Sequence, residues 1–453
     1  MLADELNDFQ ARFDAGATAA GVPGATLGIA LGDDEASFAT GLLNIKTGVT
    51  ATPDSIFQIG SITKVWTTSL IMQLVDEGKV DLDAPVRTYL PNFAVADPEA
   101  SRSVTVRQLV THTSGIDGDF FLDRGRGDDC YDRYVQSMAA LPQLHSPGQG
   151  WSYCNAGLVV AGRIAEVVTG DPWDKLVKQR LARPAGADSF VTLPEEALNF
   201  RAAVGHVADP SGAVRVAPWR GLGRASGPAG STPYASVADL LAFARVHTSR
   251  GVSAKGDRVL SAAAVQEMQT RQVGTPQPSH PGGWGLGWAL YDWGQAPVIG
   301  HNGGTLGQYS FLCVAPEKGL AVALLTNGGD AEALYRDLFT PLLDRFGGIG
   351  IPPLPVADPA IPIDPARFVG VYRKLSATIE VRSEGKVLHA TVHNHGYGAR
   401  PLEGTLAAFA THAFLLTLPG LGTPAQLLFT GERGAGTFTY AFFGGRLHKR
   451  SDG

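Results

Sequence analysis

The chain has 453 residues, of which 44% are hydrophobic and 18% charged, with a formal net charge of −6. That length holds one large domain with a smaller one, or two medium ones. A weakly negative chain with scattered basic residues has no electrostatic footprint for nucleic acid or an anionic membrane surface.

The first eight residues, Met1 to Asp8, lack the basic and apolar segments of a signal peptide. No apolar run reaches the roughly 18–20 residues of a transmembrane helix, so a cytoplasmic location is expected. Leu6, Phe9, Phe13 and Ala17 predict a helix over the first twenty residues, ended by Gly21-Val22-Pro23-Gly24. Residues 25–31 read as a strand, with residues 36–41 as its hairpin partner across residues 32–35. Helical spacing returns over residues 62–75 and stops at Gly78. Residues 105–250 read as helices and long loops, with a glycine-rich stretch at 221–230. Within them Ser236-Val237-Ala238-Asp239 is a capping box opening a helix over residues 240–246. Strands return at residues 284–291, 297–299, 309–315 and 320–326. Strand, helices, then strands predict an α+β domain whose terminal segments share a sheet.

Ile351-Pro352-Pro353-Leu354-Pro355, followed by Pro359, Pro362 and Pro365, predicts an extended linker. The expected division is residues 1–350, a linker at 351–366, and a second domain at 367–453. That last segment alternates apolar and polar residues around Ile379, Val381 and Val387 to Val392. Turns are expected at Glu384-Gly385, Glu403-Gly404 and residues 431–436, so a small antiparallel sheet or barrel is predicted.

Three short patterns carry chemistry. In Ser61-Ile62-Thr63-Lys64 a serine opening a helix shares one face with a lysine three residues on. A lysine kept neutral by burial, here among Val65, Trp66 and Ile71, can take the serine proton, and the helix N-terminus favours a developing oxyanion. The spacing is weak alone: on the order of one or two copies arise by chance in such a chain, and Ser383-Glu384-Gly385-Lys386 is a second, on a predicted turn. Tyr153-Cys154-Asn155 is the only Tyr-x-Asn: a phenol near a lysine can shuttle a proton, and the Asn155 amide can orient that lysine or bond a substrate. In Gly300-His301-Asn302-Gly303-Gly304 a glycine-lined edge admits a substrate to the backbone, whose N–H can complete an oxyanion hole. His280-Pro281-Gly282 repeats that pattern, but Pro281 lacks the needed N–H.

The order and flanks of these elements resemble the serine β-lactamase and penicillin-binding-protein-like superfamily, most closely its class C β-lactamase and family VIII esterase branch. The matching segments include Phe57 to Lys64, Val106 to Ile116, Trp151 to Gly157, Gly227 to Gly230 and Gly300 to Asn327, spanning roughly residues 10–345. The resemblance implies an antiparallel sheet flanked by helices, with an all-helical subdomain. It implies Ser61 as nucleophile, Lys64 and Tyr153 as the acid/base pair, Asn155 as a hydrogen-bonding partner, and an oxyanion hole from the N–H groups of Ser61 and Gly304, with His301 and Gly303 lining the same edge. Residues 367–453 resemble the lipocalin-like β domain of some D-aminopeptidase-type relatives, expected to pack on the catalytic domain and narrow access to the site. Two departures stand out. Cys154 fills a slot that is often serine or alanine. His301 stands where β-lactamases carry a lysine; a histidine, with a reference pKa of about 6.5, is mostly neutral at pH 7, which favours esters or amides without a required carboxylate.

The expected function is therefore a serine hydrolase of the esterase type, acting on a small-molecule acyl donor without metal or organic cofactor. The runner-up is a transacylase passing the acyl group to an amine or alcohol; D-aminopeptidase, β-lactamase and non-catalytic scaffold are lesser alternatives, and oligomeric state is open. The loops near Cys130 and Trp219 are long enough to shape a pocket. His112 reads as a loop brace, His393 and His395 as surface residues without a third metal ligand. The cysteines Cys130, Cys154 and Cys313, odd in number and widely spaced, predict neither disulfides nor zinc.

Overall fold

The computed structural model describes residues 2–6, 8–209, 212–218, 221–276, 282–294, 296–395, 400–418, 423–434 and 436–451. Trp219 and the His280-Pro281 pair lie outside them. An eight-stranded antiparallel sheet forms the larger body. Its strands are β1 (Gly24–Leu31), β2 (Asp34–Asn44), β3 (Val49–Thr50), β4 (Gly283–Trp284), β5 (Ala289–Tyr291), β6 (Val298–Gly304), β7 (Tyr309–Ala315) and β8 (Leu320–Thr326), in the order β3-β2-β1-β8-β7-β6-β5-β4. The terminal segments meet at its centre, where Ala25 pairs with Thr326 and Leu31 with Leu320.

Helices cover both faces, which is why Leu320–Thr326 is apolar without alternation. Leu27, Ile29, Val322 and Leu324 share a core with Phe13 and Ala17 of α1 (Phe9–Ala19). Ala321, Ala323 and Leu325 turn the other way, into the helical core. That core is built on α2 (Thr63–Asp76), α3 (Asn155–Thr169) and α4 (Val237–Thr248), whose capping box from Ser236 and Asp239 is present. A further helix, α5 (Ala331–Gly347), returns to the side of α1.

Residues 370–450 form a closed barrel of eight antiparallel strands: β9 (Gly370–Lys374), β10 (Ala377–Glu384), β11 (Val387–Asn394), β12 (Leu402–Ala410), β13 (Ala413–Thr417), β14 (Ala425–Glu432), β15 (Phe438–Phe443) and β16 (Arg446–Arg450). Tyr372 of β9 pairs with Arg450 of β16, closing the ring and leaving no open edge. One side of the barrel is not solvent-facing: Ala413, Leu428, Phe442 and Leu447 share a core with Leu144, Trp151 and Trp284.

Several local expectations are corrected. The first twenty residues hold two helices, Leu2–Glu5 and Phe9–Ala19. The β1–β2 hairpin turns at Gly32-Asp33 and is longer than expected. Residues 284–291 are two short strands, and the third expected strand runs on through Gly304. Glu403-Gly404 is no turn but lies inside β12, where Gly404 has no room for a Cβ: one would sit 1.9 Å from the Thr417 carbonyl. The second Ser-x-x-Lys copy does span a turn, with both residues exposed. Among the described residues no helix is long and apolar enough to cross a membrane.

Candidate active site

Ser61 lies in one 3-10 turn, Gly60–Ile62, that runs directly into α2. It is therefore inside the helical start rather than capping it, and no side chain caps that turn. The turn is pinned to the sheet by Ser310 of β7, whose hydroxyl donates to the Ile59 carbonyl at 2.7 Å. Opposite lies the edge of β6. Pairing between β5 and β6 stops at Gly300, which leaves residues 301–304 with one edge unpaired by β5. Thr305 N–H donates to the Gln308 carbonyl at 2.9 Å, so the neighbouring pair, Gly304 and Tyr309, is of the non-hydrogen-bonded kind. The Gly304 N–H then points off the open edge, toward the serine turn.

The fit between turn and edge depends on missing side chains. A Cβ on Gly60, whose φ is +49°, would fall 2.6 Å from Gly304 N. A Cβ on Gly303 would fall 2.1 Å from the Ile59 carbonyl oxygen and 2.9 Å from Ser61 N. Two backbone N–H groups, those of Ser61 and Gly304, can thereby approach one point beside the serine hydroxyl.

Lys64, one helical turn on, is fully buried and donates to Ser61 Oγ at 2.8 Å and to the Ala229 carbonyl at 2.6 Å. Burial, with the nearby charge of Arg446, holds its amine well below the ordinary lysine range. A neutral amine facing a serine hydroxyl is a proton acceptor.

Tyr153 enters from the loop before α3. Lys64 Nζ stands 4.8 Å from its ring centroid, and the His112 ring lies 4.2 Å away. Burial raises its phenol pKa, opposed by the Ser61 hydroxyl and the charge of Arg446. His112 braces this loop: its φ is +60°, its carbonyl accepts from Ser152 N, and its Nδ1 accepts from Cys154 N–H at 3.1 Å. Burial keeps that imidazole neutral, as an acceptor at Nδ1 must be. Cys154 occupies the N-cap of α3, its Sγ accepting from Gly157 N.

Asn155 does not reach Lys64; its amide donates to Asp119 at 2.8 Å. His301 is buried on β6, its ring 6.1 Å from that of Tyr153, with Nδ1 2.7 Å from the Asn302 carbonyl. Of the seven residues singled out in the sequence, Ser61, Tyr153, His301, Gly303 and Gly304 line one cleft of about 1060 Å³ together with Trp151 and Trp284, while Lys64 is buried behind Ser61 and Asn155 is turned to Asp119.

The barrel supplies a residue that motif reading missed. Arg446, at the start of β16, lines the same cleft with its guanidinium 4.6 Å from the Tyr153 centroid. Tyr153 N–H donates to the Gly445 carbonyl at 3.0 Å, and Leu447 N–H donates to the Ser152 hydroxyl at 3.1 Å. The barrel thus docks on the very strand-like segment that presents the tyrosine. Asp119 was also missed; the only hint was two acids, Asp117 and Asp119, directly after a matched motif. His393 and His395 bond or face Glu380, Thr378 and Leu375. Among the described residues no group of three His, Cys, Asp or Glu side chains is placed to hold a metal ion.

A family model described as Beta-lactamase matches residues 9–343. Penicillin-binding protein 4 of Amycolatopsis lactamdurans is 46% identical over 371 residues, covering 81% of this chain and 97% of the relative. Esterase EstB of Burkholderia gladioli is 30% identical over 331 residues, covering 64% and 81%. Among solved structures, the crystal structure of SurE superposes over the full length of both chains at 28% identity, with a TM-score of 0.80; SurE with D-Leu gives 0.77 over 99% of this chain and 100% of that one.

Proposed function

Because this chain belongs to the beta-lactamase family, a family of serine hydrolases that includes esterase and penicillin-binding relatives, we propose that it forms an acyl-enzyme on Ser61 from a small-molecule ester or amide. The observation that carries this reading is the 2.8 Å contact between Ser61 Oγ and a buried amine held below its ordinary pKa. Lys64 takes the serine proton as Oγ attacks the substrate carbonyl carbon. The resulting oxyanion is met by the N–H groups of Ser61 and Gly304, a preorganised pair of the kind worth roughly 10²–10³ in rate per donor. The leaving oxygen or nitrogen takes a proton through Tyr153 as its bond to the carbonyl carbon breaks. Water then attacks the acyl carbon and gives a proton to the relay, which delivers one to Ser61 Oγ as the acyl–oxygen bond breaks. His301 lines the substrate side of this machinery, while the Asn155 amide is held by Asp119. A histidine rather than a lysine on β6 favours substrates without a required carboxylate.

A second reading is transfer of the acyl group to an amine or alcohol. It is favoured by the size of the cleft, about 1060 Å³, which has room for an acyl chain and an acceptor together, and by the coverage of the tyrosine loop by the barrel. The D-Leu bound to SurE makes D-aminoacyl donors and D-amino acceptors the first compounds to try here.

The experiment is twofold. Intact protein is treated with a fluorophosphonate and mapped by mass spectrometry: modification at Ser61 is expected, and an unmodified Ser61 under several probes removes the proposal. Turnover of p-nitrophenyl esters of acetate and of N-acylated D- and L-amino acids is then measured with and without added amines. If amines never divert product from the free acid, hydrolysis stands and transfer falls.

A further inference from the structure

We infer that Asp119 is a positioning residue for acyl transfer at Ser61: it fixes Arg446 of the barrel over the Tyr153 ring and holds the Asn155 amide, and so makes the docked barrel part of the proton relay. The inference rests on the roles proposed above for Ser61, Lys64 and Tyr153.

Asp119 lies in an irregular segment between the helices Val106–Val110 and Cys130–Gln136. Its carboxylate is 10% exposed and receives four N–H groups. They come from Asn155 Nδ2 at 2.8 Å, Lys374 Nζ at 2.9 Å, and Arg446 Nε and Nη2 at 3.1 and 3.3 Å. A carboxylate has about four acceptor positions, so every one is in use. Two of the three partners come from the barrel and the third from the first turn of α3, two residues after Tyr153. Asp117, beside it, accepts from Leu375 N–H of the same barrel turn.

The consequence is electrostatic. Arg446 and Lys64 stand 4.6 and 4.8 Å from one ring centroid, that of Tyr153. A fixed positive charge there opposes protonation of Lys64, and the Asp119 carboxylate opposes that effect; burial, Arg446 and Asp119 act on the amine in that order of size, the last raising its pKa. The groups facing Lys64 directly are Ser61, Tyr153 and the Ala229 carbonyl. Beyond them stand Arg446, Asp119 and Cys154; His112, on the far side of the ring, is kept neutral by burial. A strut of purely structural use would lower stability when cut. It would not move the protonation of the base in a direction set by the sign of the charge removed.

The test uses the full chain and the pH dependence of kcat/KM for an activated ester, whose acidic limb reports the base of the free enzyme. D119N removes the raising charge while its amide oxygen still accepts from Arg446, so its acidic limb should move to lower pH. R446M removes the lowering charge, so its limb should move to higher pH, each by roughly half to one pH unit for a charge within ~10 Å at an effective dielectric of ~20–40. R446K, which keeps the charge, should stay near the parent. Limbs that move together, or that stay fixed in variants with native circular dichroism, overturn the inference. Should D119N not fold, the arginine pair decides: a raised limb in R446M with a parental limb in R446K supports it, and equal limbs overturn it. A wild-type protein whose Ser61 takes no label sinks the parent reading instead, which keeps the two failures apart.

Discussion

Adjacent glycines on the edge of β6 should respond oppositely to the same substitution. At Gly303 a methyl group would lie 2.1 Å from the Ile59 carbonyl oxygen, 2.3 Å from Ser310 Oγ and 2.9 Å from Ser61 N. The hydroxyl and carbonyl there are already joined by a 2.7 Å hydrogen bond, so neither can retreat without losing the other. Relief requires the serine turn and the β6 edge to separate by about 1 Å or more, beyond the roughly 0.5 Å tolerance of a catalytic constellation. Overpacking of this kind costs about 1–3 kcal/mol of stability. The larger effect is chemical: a displacement of ~1 Å costs about 10²-fold, and a lost oxyanion donor about 10²–10³-fold. At Gly304 the nearest atoms to an added Cβ are two ring carbons of Tyr309 at 3.6 and 3.9 Å, ordinary contact distances. G303A is therefore expected to lose about 10²–10³ in kcat/KM with modest loss in Tm, and G304A to stay close to the parent. Ester turnover, the rate of fluorophosphonate labelling and thermal melting measure all three. Near-parental turnover in G303A, or equal damage in both variants, would refute the geometry argued for the oxyanion site.

The two Ser-x-x-Lys copies give a paired control: S61A should abolish ester turnover and labelling, whereas S383A, exposed beside the β10–β11 turn, should leave both unchanged; activity lost in S383A contradicts the assignment. Stability should fall with acid in two windows. Burial pushes His247 down to about 3, and His448, also near Lys374, down to about 3. Since their unfolded pKa is about 6.5, the unfolded state takes the proton first. Stability is then full above that pH and declines below it, each histidine contributing up to about 1.4 kcal/mol per pH unit. Asp119 is held well below the usual carboxylate range by Arg446 and Lys374 against the opposing burial, so its contribution is present above about pH 3.9 and lost as acid titrates it below that. Urea unfolding between pH 7.5 and 4.5 should show a shallower slope in H247L than in the parent; an identical slope removes the histidine account. Deleting residues 351–453 should expose Leu144, Trp151 and Trp284, which share a core with Leu428, Phe442 and Leu447, and should yield an aggregating, inactive protein; a monodisperse truncated chain with parental kinetics would show the barrel to be dispensable.

Local rules made much of the fold legible. Continuous apolar runs marked β7 and β8, and the Ser236 capping box marked α4. They failed where a neighbour from elsewhere decides the outcome. Gly404 reads as a turn because glycine is a turn residue, yet it is needed in β12 because the Thr417 backbone leaves no space. The glycine-lined edge expected at residues 300–304 is present, but that it faces Ser61 follows from where β5 stops pairing with β6, at Gly300.

The order Ser61-x-x-Lys64, Tyr153-x-Asn155 and His301 to Gly304 determined the family resemblance and the candidate site residues, because short motifs on helix starts and a strand edge are written locally. The resting partner of Asn155 and the source of the charge beside Tyr153 were not local matters. Arg446 meets Asp119 across 327 positions of chain, and only the docking of a closed barrel on the 151–153 segment brings them together. A charge acts through space while sequence records only its place along the chain, so the field around Lys64 was decided by the tertiary structure alone.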